Sequence, residues 1–199
     1  MSSFFTLYRI RDFLIALILA ILLFPLIVAI SAIIFFFKKR PVFYSEKRVG
    51  LNGRIFTLHK FRTLEPERVR GEAPDDLDGR VLKNGTPENC RGWFFKSLRK
   101  YSLDELPQIW NVLTGDMSIV GPRPMPKHEL HYRFGSNASK VTSVRPGLTG
   151  LWQVSGRNDL SPEDRLRLDL YYVEKRNAWL DYIIMLKTFS AFLSGRGAY

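Results

Sequence analysis

The chain of 199 residues has one cysteine, Cys90, and three histidines. A lone cysteine excludes an internal disulfide framework and any zinc cluster built on cysteine pairs, and Cys90 reads as a small, half-buried apolar residue. No His-Glu-x-x-His occurs; His128 and His131, with Glu129 between them, read as a solvated helix face rather than a metal site. The chain also lacks both common nucleotide cradles, Gly-x-x-x-x-Gly-Lys-Ser/Thr and Gly-x-Gly-x-x-Gly, and the Gly-x-Ser-x-Gly elbow of serine hydrolases. Internal repeats and low-complexity tracts are missing. Acids are few relative to bases, 19 against 30, for a formal net charge of +11. That balance predicts attraction to phosphate-bearing partners, whether nucleotide, anionic lipid or nucleic acid, and does not choose among them.

Charge is absent altogether from Phe13 to Phe37, which reads FLIALILAILLFPLIVAISAIIFFF. As one helix this run is roughly 37 Å long against a hydrocarbon core of about 30 Å, so it is long enough to span a bilayer. Its length, the lack of a small-residue cleavage site and the Lys38-Lys39-Arg40 that follows set it apart from a signal peptide. Pro25 lies at its centre, and bases flank both ends, Arg9 and Arg11 before, Lys38 to Arg40 after. Both flanks ask for the cytoplasmic side. Length favours a kinked single span; a sharp bend at Pro25 is the alternative, giving a re-entrant hairpin with arms of about 18 Å.

The remainder has room for one domain of about 150 residues. We divide the chain into a membrane-embedded segment, 1–40, and a catalytic-size domain, 41–199. Val42–Arg48 and Arg54–Phe61, rich in β-branched and aromatic residues, flank Gly50-Leu51-Asn52-Gly53 and predict a β-hairpin. Glu65–Asn89 reads as a long loop. Trp93–Lys100 and Leu103–Leu113 predict helices, and Gly121–Gly156, punctuated by prolines and glycines, predicts mostly loops and turns. Ser161-Pro162-Glu163 opens a further helix with Ser161 as cap. Ala178–Leu193 predicts an apolar helix with Trp179 and Tyr182, suited to a membrane interface or to ordinary packing. The fold class is α+β: membrane helix, hairpin and several short helices around a loop-rich site.

Chemistry concentrates in Ser102-Leu103-Asp104-Glu105-Leu106-Pro107. The plain explanation is a capping box, Ser102 and Glu105 satisfying free backbone N–H groups. Pro107 fits that register poorly, since it would delete an internal hydrogen bond, and a helix start at Asp104 suits it better. In either register a positive helix end keeps Asp104 ionised and draws phosphate toward it, which suits a carboxylate nucleophile attacking phosphorus. Two anions meet only with a divalent metal or arginines between them, and Glu105 is then a co-ligand. The candidate anion contacts are Lys60, Arg62, Arg99, Arg123, Arg145 and Arg157, set among glycines and prolines rather than along helices.

KFRTL (60–64), SLDELPQIWNVLTGDMSIVGPRP (102–124), VRPGLTGLWQVSGRN (144–158) and DLYY (169–172), in that order, resemble the bacterial sugar-transferase family, the small monotopic phosphoglycosyl transferases. The resemblance covers nearly the whole chain. It implies transfer of a sugar 1-phosphate from a UDP-sugar to polyprenyl (undecaprenyl) phosphate by a ping-pong reaction. Asp104 would be nucleophile, UMP the leaving group, Glu105 its partner in a dyad with Mg²⁺, and Arg99, Arg123, Arg145 and Arg157 phosphate or nucleotide contacts. It favours the re-entrant membrane helix over a span, interfacial amphipathic helices, and a place at the cytoplasmic face of a bacterial inner membrane. Membrane lipid is an implied partner, nucleic acid is not, and a homodimer is allowed. Departures from the family pattern are Phe24 where serine is usual, Leu64 where methionine is usual, and a longer Asn84–Gly92 segment. The alternative from another class is a membrane-anchored basic module that binds anionic lipid or nucleic acid.

Overall fold

The computed structural model describes residues 2–38, 41–63, 92–156 and 159–194. The long loop expected over Glu65–Asn89 therefore lies outside the described residues, as do Leu64 and all of Asn84–Gly92 except Gly92. Helix α1 runs from Ser2 to Lys38 and contains Pro25. Strands β1 (Phe43–Val49) and β2 (Ile55–Phe61) pair antiparallel, from Phe43 opposite Phe61 to Val49 opposite Ile55. The turn between them is the one expected from Asn-Gly: Asn52 (φ 53°) and Gly53 (φ 79°) both take left-handed conformations. Then come α2 (Trp93–Lys100), a 3-10 turn (Leu103–Gln108), α3 (Ile109–Thr114) and β3 (Ser118–Val120). After them follow α4 (Lys127–Phe134), α5 (Ala138–Val141), β4 (Gly147–Thr149), α6 (Leu151–Ser155), α7 (Pro162–Lys175) and α8 (Ala178–Ser194). The class is α+β, as expected.

Two segments differ from expectation. The stretch 121–156 is not mostly loop, since α4, α5, β4 and α6 fall within it. Its prolines and glycines sit between these short elements and end them, which composition alone reads as continuous irregularity. Leu103–Leu113 is not one helix: Pro107, which lacks an N–H, lies in a tighter 3-10 turn, and α-helix begins only at Ile109. Ser161 caps α7 as expected, its hydroxyl accepting from Asp164 N at 3.1 Å with Pro162 in the first turn.

Strands β3 and β4 pair parallel, Ser118 beside Gly147 and Val120 beside Thr149. The pair needs glycine: a Cβ on Gly147 would lie 2.0 Å from Gly121 N, and one on Gly121 2.4 Å from Arg145 O. This contact holds the Gly121-Pro122-Arg123 corner in place, and Gly147 N donates to Pro122 O at 2.9 Å.

Helix α1 contacts the rest of the chain along one stripe. Tyr8, Asp12, Ala16, Ile30 and Ile34 are buried, and Leu19, Leu23 and Ile27 are partly covered between them, every three or four residues on one helix face. Ala16 enters a core with Phe56, Leu58, Val112, Tyr172 and Ile184, while Ile30 and Ile34 enter another with Phe61, Phe95 and Leu98. The opposite face is apolar and bare: Ile18, Ile21, Leu22 and Phe24 are each more than half exposed. By length and composition α1, over Thr6–Phe37, is the one helix among the described residues long and apolar enough to cross a membrane.

The start of α1 is locked by polar contacts. Arg11 bridges Asp12 Oδ1 and Asp181 Oδ2, each at 2.8 Å. Asp12 Oδ2 accepts from Ser118 Oγ at 2.5 Å, and Asp181 Oδ1 accepts from the Tyr172 hydroxyl at 2.7 Å. Four elements, α1, β3, α7 and α8, thus meet in one buried network. Replacing Asp181 by alanine is expected to cost about 3–5 kcal/mol, the usual penalty for stranding one partner of a buried pair. A thermal midpoint of the detergent-solubilised protein unchanged by Asp181→Ala would show that the network does not hold α1 in place.

Candidate active site

The 3-10 turn that carries Asp104 and Glu105 is aimed by its neighbours on both sides. Before it, Ser102 takes a left-handed conformation (φ 52°), which turns the chain sharply out of α2. After it, the buried amide of Asn111 grips β2, its Nδ2 donating to Thr57 O at 2.7 Å and its Oδ1 accepting from His59 N at 3.2 Å. Asn111 thereby acts as an extra strand partner and sets the turn against the strand that bears Lys60. The capping box is not formed. Ser102 makes no side-chain cap, its N–H donates to Arg99 O, and Glu105 points elsewhere.

Glu105 Oε1 receives two cations, Arg123 Nη2 at 3.1 Å and Lys60 Nζ at 3.4 Å. Lys60 is shared with Glu46 Oε1 at 3.9 Å, and Glu46 is paired with Arg48 Nη2 at 2.5 Å. Arg48 Nη1 donates in turn to Pro124 O at 3.3 Å, beside Arg123. Alternating charges thus run from the hairpin to the Gly121–Pro124 corner with Glu105 at their centre. Burial pushes the Glu105 carboxyl up, but Arg123 and Lys60 outweigh it and bring it down to about 2.

Asp104 stands differently. Among the described residues its carboxylate has no hydrogen bond or ion pair, although Lys60, Arg99 and Arg123 are close enough to act on it. Burial, then the charge of Glu105, pushes it up to about 6 against those three cations. At about 6 the carboxyl is still largely ionised at neutral pH, as expected, but the start of the turn does not hold it low: desolvation and the like charge next door raise it.

Of the expected anion contacts, Lys60, Arg99 and Arg123 are gathered around the dyad. Arg62 lies past the end of β2, its guanidinium 5.9 Å from the Tyr44 ring, and contacts neither acid. Arg145 is held elsewhere, its Nε donating to Gly115 O at 2.9 Å. Arg157 lies outside the described residues. No three His, Cys, Asp or Glu side chains gather to cage a metal among the described residues. Two adjacent carboxylates, one with Oε2 still unpaired, nonetheless suit Mg²⁺, which usually takes one or two carboxylates and leaves its other positions to water and substrate phosphates.

One acid went unnoticed in the sequence. Asp169 on α7 is 1% exposed, and neither carboxylate oxygen has a partner among the described residues. Burial pushes it up to about 8 despite Arg123 and Arg133. It sits one helical turn after Arg165, whose guanidinium lies 5.0 Å from the Trp152 ring, and Arg123 approaches the same ring at 5.9 Å. Arg123, paired with Glu105, is thus near enough for its charge to act on this second acid without bonding it. Asp169 opens the DLYY run, one of the stretches that carry the family resemblance, and its placement, an acid amid the apolar positions of a helix, is the further signal.

Comparison with known proteins is consistent across the chain. The pattern of a family described as bacterial sugar transferase matches residues 3–195. The exopolysaccharide production protein ExoY of Rhizobium meliloti is 40% identical over 191 residues, covering 90% of this chain and 83% of that protein. An undecaprenyl-phosphate galactose phosphotransferase of Salmonella typhimurium is 40% identical over 169 residues, covering 80% of this chain and 35% of the relative. A UDP-glucose:undecaprenyl-phosphate glucose-1-phosphate transferase of Xanthomonas campestris is 38% identical over 197 residues, covering 95% and 39%.

Because Asp169 binds its proton more tightly in the fold than an ordinary aspartate does, the folded chain holds more protons than the unfolded one between about pH 4 and pH 8. Its contribution is fully favourable below that window and is lost as pH rises through it. Asp169→Asn is expected to remove this slope, so that its thermal midpoint gains on wild type from pH 5 to pH 8. Parallel midpoint curves for the two proteins would refute the assignment.

Proposed function

Because the chain belongs to the bacterial sugar transferase family and is a phosphoglycosyl transferase of the polyprenyl-phosphate sugar-1-phosphate type, we propose that Asp104 is its nucleophile and a UDP-sugar its donor. The observation that carries this reading is the contrast within the dyad: Glu105 is occupied by Lys60 and Arg123, while Asp104, also within the field of cations, has no partner among the described residues. Its lone pairs are free for phosphorus. The reading of the chain as a basic module without catalysis gives way to its membership of a transferase family.

In the first half-reaction an Asp104 carboxylate oxygen bonds to the β-phosphorus of the donor. The bond from that phosphorus to the bridging oxygen breaks, and UMP leaves with the electron pair. In the second, a phosphate oxygen of the polyprenyl phosphate attacks the same phosphorus, releases the Asp104 carboxylate and yields polyprenyl-diphospho-sugar. Lys60, Arg99 and Arg123 offset the charge of the diphosphate as it approaches, and the Glu105 ion pairs fix the turn so that Asp104 need not reorganise. Mg²⁺, held by Asp104, Glu105 and the donor phosphates, would supply further charge neutralisation and stabilise the leaving group. Asp169, mostly protonated at neutral pH, adds no negative charge to the diphosphate's path.

The membrane arrangement belongs to the same proposal. Both ends of α1 are fastened to one folded body, the start through Arg11 and Asp12, the later part through Ile30 and Ile34. A re-entrant helix keeps both ends on the cytoplasmic face of the inner membrane, while the bare face between them meets lipid. Helix α8 carries Trp179, Tyr182, Leu186 and Phe189 exposed on one side, the composition of an interfacial helix. The acceptor's phosphate then meets Asp104 at the membrane surface without leaving the bilayer.

Two experiments test these statements. Purified protein supplied with Mg²⁺ and a panel of UDP-sugars, without lipid, is expected to release UMP and to gain the mass of a sugar phosphate on Asp104. Asp104→Asn is expected to lose that adduct and to fall in turnover by on the order of 10⁴-fold. Full turnover by Asp104→Asn with the right donor sinks the mechanism. For topology, single cysteines placed at Thr6 and Phe37 in a Cys90→Ser background are expected to react alike with a cytoplasmic-side thiol reagent; protection of one end alone requires a span.

A further inference from the structure

A second concentration of arginines shares no hydrogen bond or ion pair with Asp104 or Glu105. Four guanidinium groups, of Arg9, Arg11, Arg145 and Arg176, gather where the start of α1 meets the end of α3 and the corner between α7 and α8. Two carboxylates, Asp12 and Asp181, face them. Three of the four arginines have acceptors. Arg9 donates to Val112 O at 2.5 Å and Leu113 O at 2.6 Å, closing the end of α3, and Arg145 donates to Gly115 O. Arg11 is paired with both carboxylates. Arg176 is different: its guanidinium lies 4.5 Å over the Tyr8 ring, but its Nε is buried without an acceptor among the described residues. An aromatic face offsets charge and leaves the in-plane N–H groups of a guanidinium unanswered.

Crowding at this corner is real, since burial and then the positive charges of Arg9 and Arg176 push Arg145 below its ordinary range even though Asp12 opposes them. Its surroundings are those of a membrane boundary. Leu7 and Ile10 are exposed on α1, and Trp179 and Tyr182, three and six residues beyond Arg176, are exposed with their rings stacked 5.7 Å apart. Four positive charges against two negative, one guanidinium Nε without an acceptor among the described residues, and aromatic rings at the rim together describe a receptor for an anion presented by the membrane.

We propose that Arg176, within the field of Arg9 and Arg145, binds the phosphate of an anionic phospholipid headgroup at the α7–α8 corner. The proposal rests on the membrane-seated reading of α1 and α8. Guanidinium geometry matches two phosphate oxygens at once. A zwitterionic headgroup brings its own cation into a corner already in positive excess, so an anionic lipid is preferred. The site anchors the end of α1 where Arg11 and Asp181 lock it, and so orients the catalytic body on the bilayer.

The test uses the full chain in nanodiscs of phosphatidylcholine alone or mixed with phosphatidylglycerol. Phosphatidylglycerol is expected to raise the thermal midpoint of wild type, and Arg176→Gln to lose most of that rise while matching wild type in phosphatidylcholine and in UMP release from the UDP-sugar. Should Arg176→Gln already melt early in phosphatidylcholine, Arg176→Lys, which keeps a charge over Tyr8, replaces it and is expected to show a smaller rise than wild type. A full rise in the variant overturns the proposal. So does an equal rise in wild type from glycerol phosphate or inorganic phosphate added to phosphatidylcholine discs, which would make the site one for a soluble anion. UMP release missing from wild type itself counts against the catalytic reading and leaves the lipid comparison intact.

Discussion

A long helix with one bare apolar side must still be tied to the folded body beside it, and in this chain the tie is Arg11 held between Asp12 and Asp181. The three groups bring charge into a buried place, which is tolerable only because each is answered: Ser118 on Asp12, the Tyr172 hydroxyl on Asp181. Geometry downstream depends on that lock. With residues 8–12 fixed, the buried stripe of α1 places Ile30 and Ile34 against Phe61, Phe95 and Leu98, which are the apolar ends of β2 and α2. Those two elements carry Lys60 and Arg99, and the dyad turn packs between them. The placement of Asp104 relative to α1 is thus set by side-chain packing along one helix face, without a rigid linker.

Much of this was legible in the residues. An Asn-Gly between aromatic and β-branched runs encodes a hairpin locally, because few other residues adopt two successive left-handed conformations, and the structure has it. Ser161-Pro162 at the start of α7 is equally local. Contacts between distant segments were not legible. The Asn111 grip on β2 joins residues more than fifty positions apart, and nothing near Asn111 in sequence announces it. Arg145 sits in the same proline-glycine composition as Arg123, yet one reaches Glu105 and the other Gly115. Composition suggested a common pocket for both; the parallel pairing of β3 with β4 sends them to different places.

Local rules also misled where a tertiary contact outweighed them. Ser-x-x-Glu at a helix start has a strong local meaning, but a capping box keeps its glutamate on backbone N–H groups, and here Lys60 and Arg123 take it away. Two ion pairs with full cations outweigh one bond to a backbone N–H, so the turn gives up its cap and Ser102 reverses the chain. Pro107 reinforces this, since it has no N–H to donate where a regular α-helix would need one.

The consequence reaches the chemistry. Had Lys60 and Arg123 bonded Asp104 instead, its carboxylate would be more acidic and better hydrated by donors, and its lone pairs would be occupied when phosphorus arrived. Placing both cations on one oxygen of the neighbouring residue keeps their field over the site and leaves Asp104, the proposed nucleophile, without a donor among the described residues. Desolvation and the adjacent Glu105 charge then raise Asp104 to about 6, high enough to strengthen it as a nucleophile and low enough to leave it largely ionised at neutral pH. On the proposed mechanism, adjacent acids with opposite shifts divide the work, one holding the cations and the other attacking phosphorus. A single carboxylate could not do both, because the donors that would fix it in place are the same ones that would quench it.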